Sequence, residues 1–224
     1  MRSAPIALAL AFVTVAAIVI PTAAMSKSSA TPDVIRNGQS WTCNGPVDVN
    51  LVRVSNPPGD AVVLAAGCTG RIGRIEVDTR TADGIKVQNS SRGTPAHDLR
   101  IGGGYVKCSA IAGGAHQDAV QAMGGARITF TGVTFDCRGN SNFFVTQAGG
   151  GGTPTDIVCD GCRFGGKSST TVRINDSVRS GVRNSRACAG RNVKQPYYFT
   201  SGARQPVNSG NSQLPSNDPL CASR

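Results

Sequence analysis

Short stretches of alternating apolar and polar residues dominate the chain after residue 40. These stretches are three to six residues long and are separated by Gly, Asn, Asp or Ser. Such a pattern is typical of short β-strands joined by turns. Hardly any segment after Pro21 carries apolar residues at helical spacing. The pattern therefore predicts an all-β protein.

The strand-like segments recur along the chain. One series returns about every 29 residues and begins at Gly73, Gly103, Gly132 and Gly161. A second series follows it and begins at Asp83, Asp118, Asn142 and Thr170. An antiparallel sandwich or barrel would explain short strands, but not the same strand order in every repeat. A coil of stacked turns explains both, because one turn cannot bury its apolar side until the next turn covers it.

The two ends of the chain differ from the repeats. Residues 1–24 predict a signal peptide, because Met1 and Arg2 precede a charge-free apolar run of 15 residues that ends at Ile20. A membrane anchor is the alternative, although a helix needs about 20 residues to cross a bilayer. We expect residues 25–40 to form a flexible lead-in and residues 201–224 an irregular tail. Residues 41–200 then form one domain of five or six turns.

All the cysteines follow the predicted signal peptide, and their even number favours disulfides in an oxidising compartment. They are Cys43, Cys68, Cys108, Cys137, Cys159, Cys162, Cys188 and Cys221. Eight cysteines allow about 105 pairings, and the sequence does not choose among all of them. We expect every cysteine to be bridged, with no free thiol.

Cysteine spacing suggests two bridges. Cys108 and Cys137 are one repeat apart, so they are expected at equivalent positions on adjacent turns, and Cys43 and Cys68 form a similar pair. The other four would then pair among themselves. A zinc site at Cys159–Cys162 is the alternative, but no second close pair of Cys or His follows it.

Two motifs within the repeats are especially informative. Residues 114–121 have the sequence GAHQDAVQ, and residues 127–136 have the sequence RITFTGVTFD. With the repeats, they resemble the pectate-lyase superfamily over roughly Ile72 to Val182. The resemblance implies a right-handed parallel β-helix. It is specific to the fold, because this architecture hosts lyases, hydrolases, epimerases and non-catalytic adhesins.

The chain is basic, with 23 Lys and Arg against 13 Asp and Glu, for a formal net charge of +10. After export, such a surface favours acidic partners, and acidic polysaccharide is the partner that we expect. Nucleic acid also fits the sign of this charge, but the export signal, the few aromatic residues and the spread of the arginines along the chain disfavour it as a partner. A surface that only confers solubility is the alternative.

A polar ladder is predicted along the second series. If Ile85, Val120, Phe144 and Val172 point into the coil, the residues between them point to solvent. The ladder then consists of Lys86, Gln88, Gln121, Met123, Val145, Gln147, Arg173 and Asn175. Its side chains offer the donors that sugar hydroxyls and carboxylates need, and those predicted to bind substrate are Lys86, Gln121, Gln147 and Asn175. Alternatively, the ladder is only the polar surface of a solvent-facing sheet.

His116 and Asp118 lie in the turn that enters this ladder. A histidine exchanges protons near neutral pH, and a nearby carboxylate orients it. Elimination from a uronic acid needs a base for the C5 proton and a cation beside the carboxylate. We predict His116 as the base, Asp118 as its partner and Arg173 as the cation. Alternatively, Asp residues at this register only cap turns through backbone hydrogen bonds.

Calcium is the cofactor that the resemblance suggests. Calcium-dependent pectate lyases gather several acidic residues on one face, whereas here Asp136, Asp156 and Asp160 are scattered and Glu76 is the only glutamate. The sequence therefore predicts no metal site. The leading expectation is a secreted protein that engages acidic polysaccharide and cleaves it by β-elimination. A non-catalytic extracellular surface or matrix protein is the alternative.

Overall fold

Short parallel strands build the body of the molecule. A computed structural model describes residues 31–88, 94–109, 116–148, 152–165, 168–189 and 195–222, so the predicted signal peptide lies outside the described residues. The strands in these ranges are β1 (Asp33–Asn37), β2 (Trp41–Cys43), β3 (Pro46–Ser55), β4 (Val62–Leu64), β5 (Thr69–Thr79), β6 (Ile85–Val87), β7 (His97–Gly102), β8 (Gly104–Cys108), β9 (Asp118–Ala122), β10 (Ala126–Thr131), β11 (Thr134–Cys137), β12 (Ser141–Val145), β13 (Thr155–Asp160), β14 (Arg163–Phe164), β15 (Thr170–Ile174), β16 (Ser177–Val178), β17 (Gly181–Arg183), β18 (Arg186–Ala187), β19 (Tyr197–Phe199), β20 (Ala203–Arg204), β21 (Val207–Ser209) and β22 (Ser212–Gln213). The described ranges contain no helix that is long and apolar enough to cross a membrane.

The strands form two sheets in which turn stacks on turn. The minor sheet has seven strands in the order β19-β15-β12-β9-β6-β4-β2. The major sheet has fifteen strands, and its long strand β5 pairs with β7 through residues 70–72 and with β8 through residues 75–79. Pairing is parallel and joins each turn to the next, which gives a parallel β-solenoid of about six turns. The predicted all-β coil is confirmed.

The solenoid extends beyond the predicted 41–200 at both ends. Strand β1 lies in the predicted lead-in and pairs with β3. Strands β20, β21 and β22 lie in the predicted tail and continue the major sheet. These end strands are mostly exposed, so they lack the apolar alternation that indicates a strand in sequence. Backbone pairing to a neighbouring turn is enough to hold them.

The core fills the interior of the coil. Ile85, Val120, Phe143 and Val172 lie in register on successive turns of the minor sheet, and each is fully buried. Aromatic packing continues from this column, since Phe135 and Phe164 stack with ring centroids 5.3 Å apart. Burying a side chain of this size stabilises the fold by about 1.5 to 3 kcal/mol.

Strand β12 departs from the predicted register. Phe144, predicted to point inward, pairs with the outward Gln121, while Phe143 takes the inward position. Val145, predicted to face solvent, is fully buried. Three consecutive apolar residues fit either alternation, and a slip of one residue exchanges the two faces of a strand.

Asn142 holds β12 in the observed register. Its side chain is fully buried, and its Oδ1 accepts a hydrogen bond from the backbone N–H of Cys137 at 2.7 Å. Its Nδ2 donates to the carbonyl of Gly165 and to the Oγ of Ser168. A buried amide with these partners ties three parts of the coil together, so the strand cannot slip without losing them.

Three disulfides brace the coil. The two predicted one-turn bridges, Cys43–Cys68 and Cys108–Cys137, are confirmed. A third bridge, Cys188–Cys221, fastens the end of the chain to the coil. The expectation of no free thiol is wrong for Cys159 and Cys162, which are both unbridged and buried.

Cys159 and Cys162 occupy inward positions on either side of a bend. Cys159 pairs with the buried Phe130 of the previous turn, and burial raises the pKa of its thiol. The Sγ of Cys162 lies 3.6 Å from the carbonyl oxygen of Phe130. Between the two cysteines, Gly161 has a φ of +65°, which favours glycine and lets the chain bend. The thiols therefore fill core positions as small apolar side chains do.

Candidate functional site

One column of side chains on the minor sheet faces outward. Lys86, Gln121, Phe144, Arg173 and Tyr198 lie in register on five consecutive strands, and we call them the outer column. Neighbouring strands are about 4.8 Å apart, so the column provides evenly spaced groups along the coil axis. It contains two cations and two aromatic rings.

Aspartates connect the turns at the entrance to the minor sheet. The Oδ1 of Asp60 accepts a hydrogen bond from the backbone N–H of Asp83 at 3.2 Å. The Oδ1 of Asp83 in turn accepts one from the N–H of Asp118 at 2.8 Å. Backbone capping, considered from the sequence for Asp83, is thus present. It leaves one oxygen of Asp83 for a side-chain partner.

That second oxygen of Asp83 holds Lys86. The Lys86 Nζ lies 2.9 Å from the Asp83 Oδ2, and the two side chains are 20% and 3% exposed. Burial raises the pKa of Asp83, and the hydrogen bond from Lys86 opposes this shift. The buried carboxylate therefore fixes the direction of the Lys86 ammonium group.

His116 is held by Asp118 in a similar way. Its Nδ1 lies 3.1 Å from the Asp118 Oδ2, and the imidazole is 54% exposed while the carboxylate is completely buried. This Oδ2 accepts no hydrogen bond of good geometry among the described residues, so its contact with His116 is that of an ion pair. The contact with Asp118 raises the pKa of His116, and partial burial opposes the shift. The site thus combines an exposed imidazole with a buried carboxylate.

Asn140 lies on the other side of the imidazole. Its Nδ2 is 3.0 Å from the His116 Nε2, 3.0 Å from the Asp118 Oδ1 and 3.2 Å from the Ser141 Oγ. An amide nitrogen has two hydrogens, so it cannot serve all three acceptors at once. When the amide donates to His116, Nε2 accepts and the proton of a neutral imidazole lies on Nδ1, toward Asp118. A ligand can take the place of Asn140 at Nε2 while the amide keeps its other partners.

Gly139 makes this approach possible. The backbone N–H of Asn140 donates to the carbonyl of Gln117 at 2.6 Å, and a Cβ at Gly139 would overlap the same carbonyl oxygen. Only a glycine allows the two turns to come so close. The local sequence Gly139-Asn140 therefore positions the amide beside His116.

Phe144 separates His116 from Arg173. Its ring centroid lies 6.1 Å from that of His116, and the Arg173 guanidinium lies 5.1 Å from it. The Nε of Arg173 donates to the Asn175 Oδ1 at 3.4 Å, and Arg173 forms no salt bridge with a carboxylate within the described part of the chain. The Phe144 ring therefore contacts both an imidazole and a guanidinium.

The structure brings together most of the predicted site residues. His116, Asp118 and Lys86 converge at one end of the outer column, Gln121 follows Lys86, and Arg173 and Asn175 lie farther along it. Gln147 does not belong to this surface. It follows the end of β12, and its Oε1 accepts a hydrogen bond from Thr153. The one-residue shift of β12 puts Phe144 at the outward position, so Gln147 no longer continues the outward alternation of this strand.

Sequence reasoning missed four contributors to the site. They are Asp83, Asn140, Phe144 and Tyr198. Asp83 has a sequence signal, since it opens the same repeat series as Asp118, three residues before Lys86. The positions of Asn140, Phe144 and Tyr198 in the site depend on strand register or on the close approach of two turns.

Asp83, His116 and Asp118 have side chains of the types that ligate metals. Their ligand atoms lie within 4.8 Å of one another. Calcium takes about six to eight oxygen ligands, so two carboxylates and an imidazole fit it poorly. The Lys86 ammonium already contacts the Asp83 Oδ2 and balances its charge. We therefore assign no calcium ion to this cluster.

The outer face of the major sheet carries paired charges. Arg127 makes two hydrogen bonds to Asp98, and Arg179 makes two to Asp156. Both aspartates line a shallow cleft of about 450 Å³. Each of these pairs neutralises its own charges, whereas Arg100, which also lines the cleft, forms no salt bridge within the described part of the chain.

Comparisons of the chain with protein-family models, with curated proteins and with solved structures give no significant match.

Proposed function

We propose that this protein binds an acidic polysaccharide along the outer column and cleaves it by β-elimination, with His116 as the base. The proposal rests on one observation above all. An exposed imidazole and an ammonium group each contact a buried carboxylate, and a hydrogen bond from the Asp118 N–H to the Asp83 Oδ1 links these two aspartates. Within the wider resemblance to pectate-lyase-like proteins, these groups match the chemistry that elimination from a uronate needs.

Binding would use the cations of the outer column. Lys86 and Arg173 are three strand spacings apart, which corresponds to about 14 Å along the coil axis. Each can meet a different carboxylate of one extended polyuronate chain. The net charge of +10 adds a long-range attraction for such a polymer.

In the elimination, His116 Nε2 would take the C5 proton of a uronate. The C4–O4 bond then breaks, its electrons leave with O4, and a C4–C5 double bond forms. The departing O4 takes a proton from water. Asp118 stabilises the imidazolium that results, because its buried carboxylate is already in contact with Nδ1.

The cation beside the reacting carboxylate would be Lys86. Lys86 and His116 each contact a member of the aspartate pair that links two turns, whereas Arg173 lies beyond the Phe144 ring. This assignment gives Lys86 the role that the sequence suggested for Arg173. The charge of Lys86 would stabilise the negative charge that builds up on the uronate carboxylate.

A non-catalytic binding protein is the second candidate. Both nitrogens of His116 already have protein partners, Asp118 and Asn140, as a purely structural histidine would. In that case the outer column still binds a polyanion, but the imidazole only supports its turn.

The deciding experiment is a panel of polyuronates, with the ultraviolet absorbance of unsaturated uronide ends as the readout. We expect wild type to produce such ends and His116→Ala to lose about 100-fold or more in turnover while retaining binding. His97→Ala is the matched control, because the His97 Nδ1 also lies beside an aspartate, 2.7 Å from the Asp98 Oδ2, but on the major sheet. Binding without any unsaturated ends would assign the protein to the non-catalytic class.

A further inference from the structure

Tyr198 gives the outer column an exposed aromatic end. It pairs in register with Arg173, and its side chain is one of two large apolar groups that are exposed among the described residues. The preceding residue, Tyr197, points the other way and donates its hydroxyl hydrogen toward the carbonyls of Ser185 and Ser212, each at 2.9 Å. This anchoring keeps the Tyr198 ring on the outer face.

Arg173 lies between two aromatic residues of this face, Phe144 on one turn and Tyr198 on the next. Its guanidinium packs over the Phe144 ring, which fixes the plane of the group without neutralising it. Only its Nε has a side-chain acceptor, Asn175, within the described part of the chain. The remaining donors can therefore bind an acceptor from outside the protein.

We infer that Phe144, Arg173 and Tyr198 form a subsite for one unesterified uronate residue of the polysaccharide. The guanidinium would bind the carboxylate through two parallel hydrogen bonds. The Tyr198 ring would pack against the apolar C–H face of the same sugar. This inference rests on the proposed function, because it assigns a recognition element to the same polymer.

Charge decides between a uronate and a neutral sugar at this position. A neutral sugar that covers Arg173 would remove water from the guanidinium without offering an ionised acceptor, which is unfavourable. A uronate supplies that acceptor. Methyl esterification removes the charge and should weaken binding here, although the sugar ring is unchanged.

Within the subsite, the Phe144 ring lies between His116 and the Arg173 guanidinium, so Arg173 and Tyr198 should govern binding rather than proton transfer. Tyr198→Ala should weaken binding of polygalacturonate about tenfold, which corresponds to about 1.4 kcal/mol. Tyr198→Phe should bind like wild type, because the packing ring remains. Arg173→Gln should lose the preference for polygalacturonate over its methyl ester. Calorimetric titration of the His116→Ala variant, which leaves the polymer intact, measures these affinities.

Tyr105→Ala is the matched control, because Tyr105 is likewise a tyrosine beside a cation, with its ring 5.1 Å from the Lys107 Nζ, but on the major sheet. Wild-type affinity in Tyr198→Ala, or a preserved preference for the acid in Arg173→Gln, would overturn the subsite. If wild type still produced unsaturated ends in that case, the proposed function would stand. If the subsite variants behaved as expected but no unsaturated ends formed, elimination would fail and the subsite would stand. Absence of any polyuronate binding would overturn both.

Discussion

Phe143 and Phe144 are consecutive residues on opposite faces of β12. Phe143 is completely buried in the core column, whereas Phe144 lies on the outer face, between His116 and Arg173. Phe143 therefore stabilises the coil, and Phe144 packs against side chains of the site.

The two phenylalanines should respond differently to truncation. We expect Phe143→Ala to lower the free energy of unfolding by about 3 to 5 kcal/mol, because it leaves a cavity among packed rings. Phe144→Ala should have a smaller effect, because its ring packs against His116 and Arg173 on the outer face, although the residue is only 8% exposed. Urea unfolding followed by circular dichroism measures both values. Equal losses, or a larger loss for Phe144→Ala, would contradict the observed register.

The fold could be predicted from the sequence because repetition and strand alternation are both visible there. The one-turn spacing of Cys108 and Cys137 was equally informative, and their bridge is confirmed. The register of β12 could not be predicted, because alternation is lost where Phe143, Phe144 and Val145 follow one another. Contacts such as Asn140 with His116 depend on the approach of two turns, which spacing in sequence does not encode.

The buried amide of Asn142 offers a second stability test. Asn142→Ala should cost about 2 to 4 kcal/mol, because the N–H of Cys137 and the carbonyl of Gly165 would be left buried without a partner. Asn50→Ala is the control, since the Asn50 amide makes an exposed contact of 3.4 Å to Asp33. Differential scanning calorimetry should show a lower Tm for the first variant only. Similar Tm values for the two variants would show that Asn142 does not hold the strand.

The state of the cysteines can be counted directly. Cys159 and Cys162 should react with a thiol reagent after denaturation without reductant, and the reagent should find no other thiol. In the native protein both should be unreactive, because they are buried and the raised pKa of Cys159 disfavours its thiolate. A denatured chain without reactive thiols would mean that this pair is bridged. A higher count would mean that one of the three disulfides is absent.

The pKa of His116 should depend on Asp118. The carboxylate favours the imidazolium, so Asp118→Asn should lower the pKa of His116, as measured by NMR titration of its ring protons. The His116→Ala spectrum assigns the signal. A base must be neutral, so elimination should increase as pH rises through this pKa, and the increase should move to lower pH in Asp118→Asn. An unchanged titration would show that Asp118 does not act on the imidazole.

The same shift predicts a pH dependence of stability. The pKa of His116 is raised in the folded state, so its contribution is complete below the unfolded value and disappears as pH rises through the folded value. Wild type should therefore lose more stability over this range than His116→Gln does. Urea midpoints at a series of pH values test this, and parallel curves for the two proteins would exclude a contribution from His116.

The aspartates at the entrance to the minor sheet show that the number of residues in a turn of the coil does not set the distance to the next turn. Asp83 follows Asp60 by 23 residues and Asp118 follows Asp83 by 35, yet each pair makes the same carboxylate-to-amide hydrogen bond. The longer turn has more residues between β6 and β7 and between β8 and β9 than the preceding turn has between β4 and β5 and between β5 and β6. Designed insertions between these strands should therefore leave the distance from Lys86 to Arg173 unchanged. Residues can thus be added to a turn without altering the spacing of the outer column.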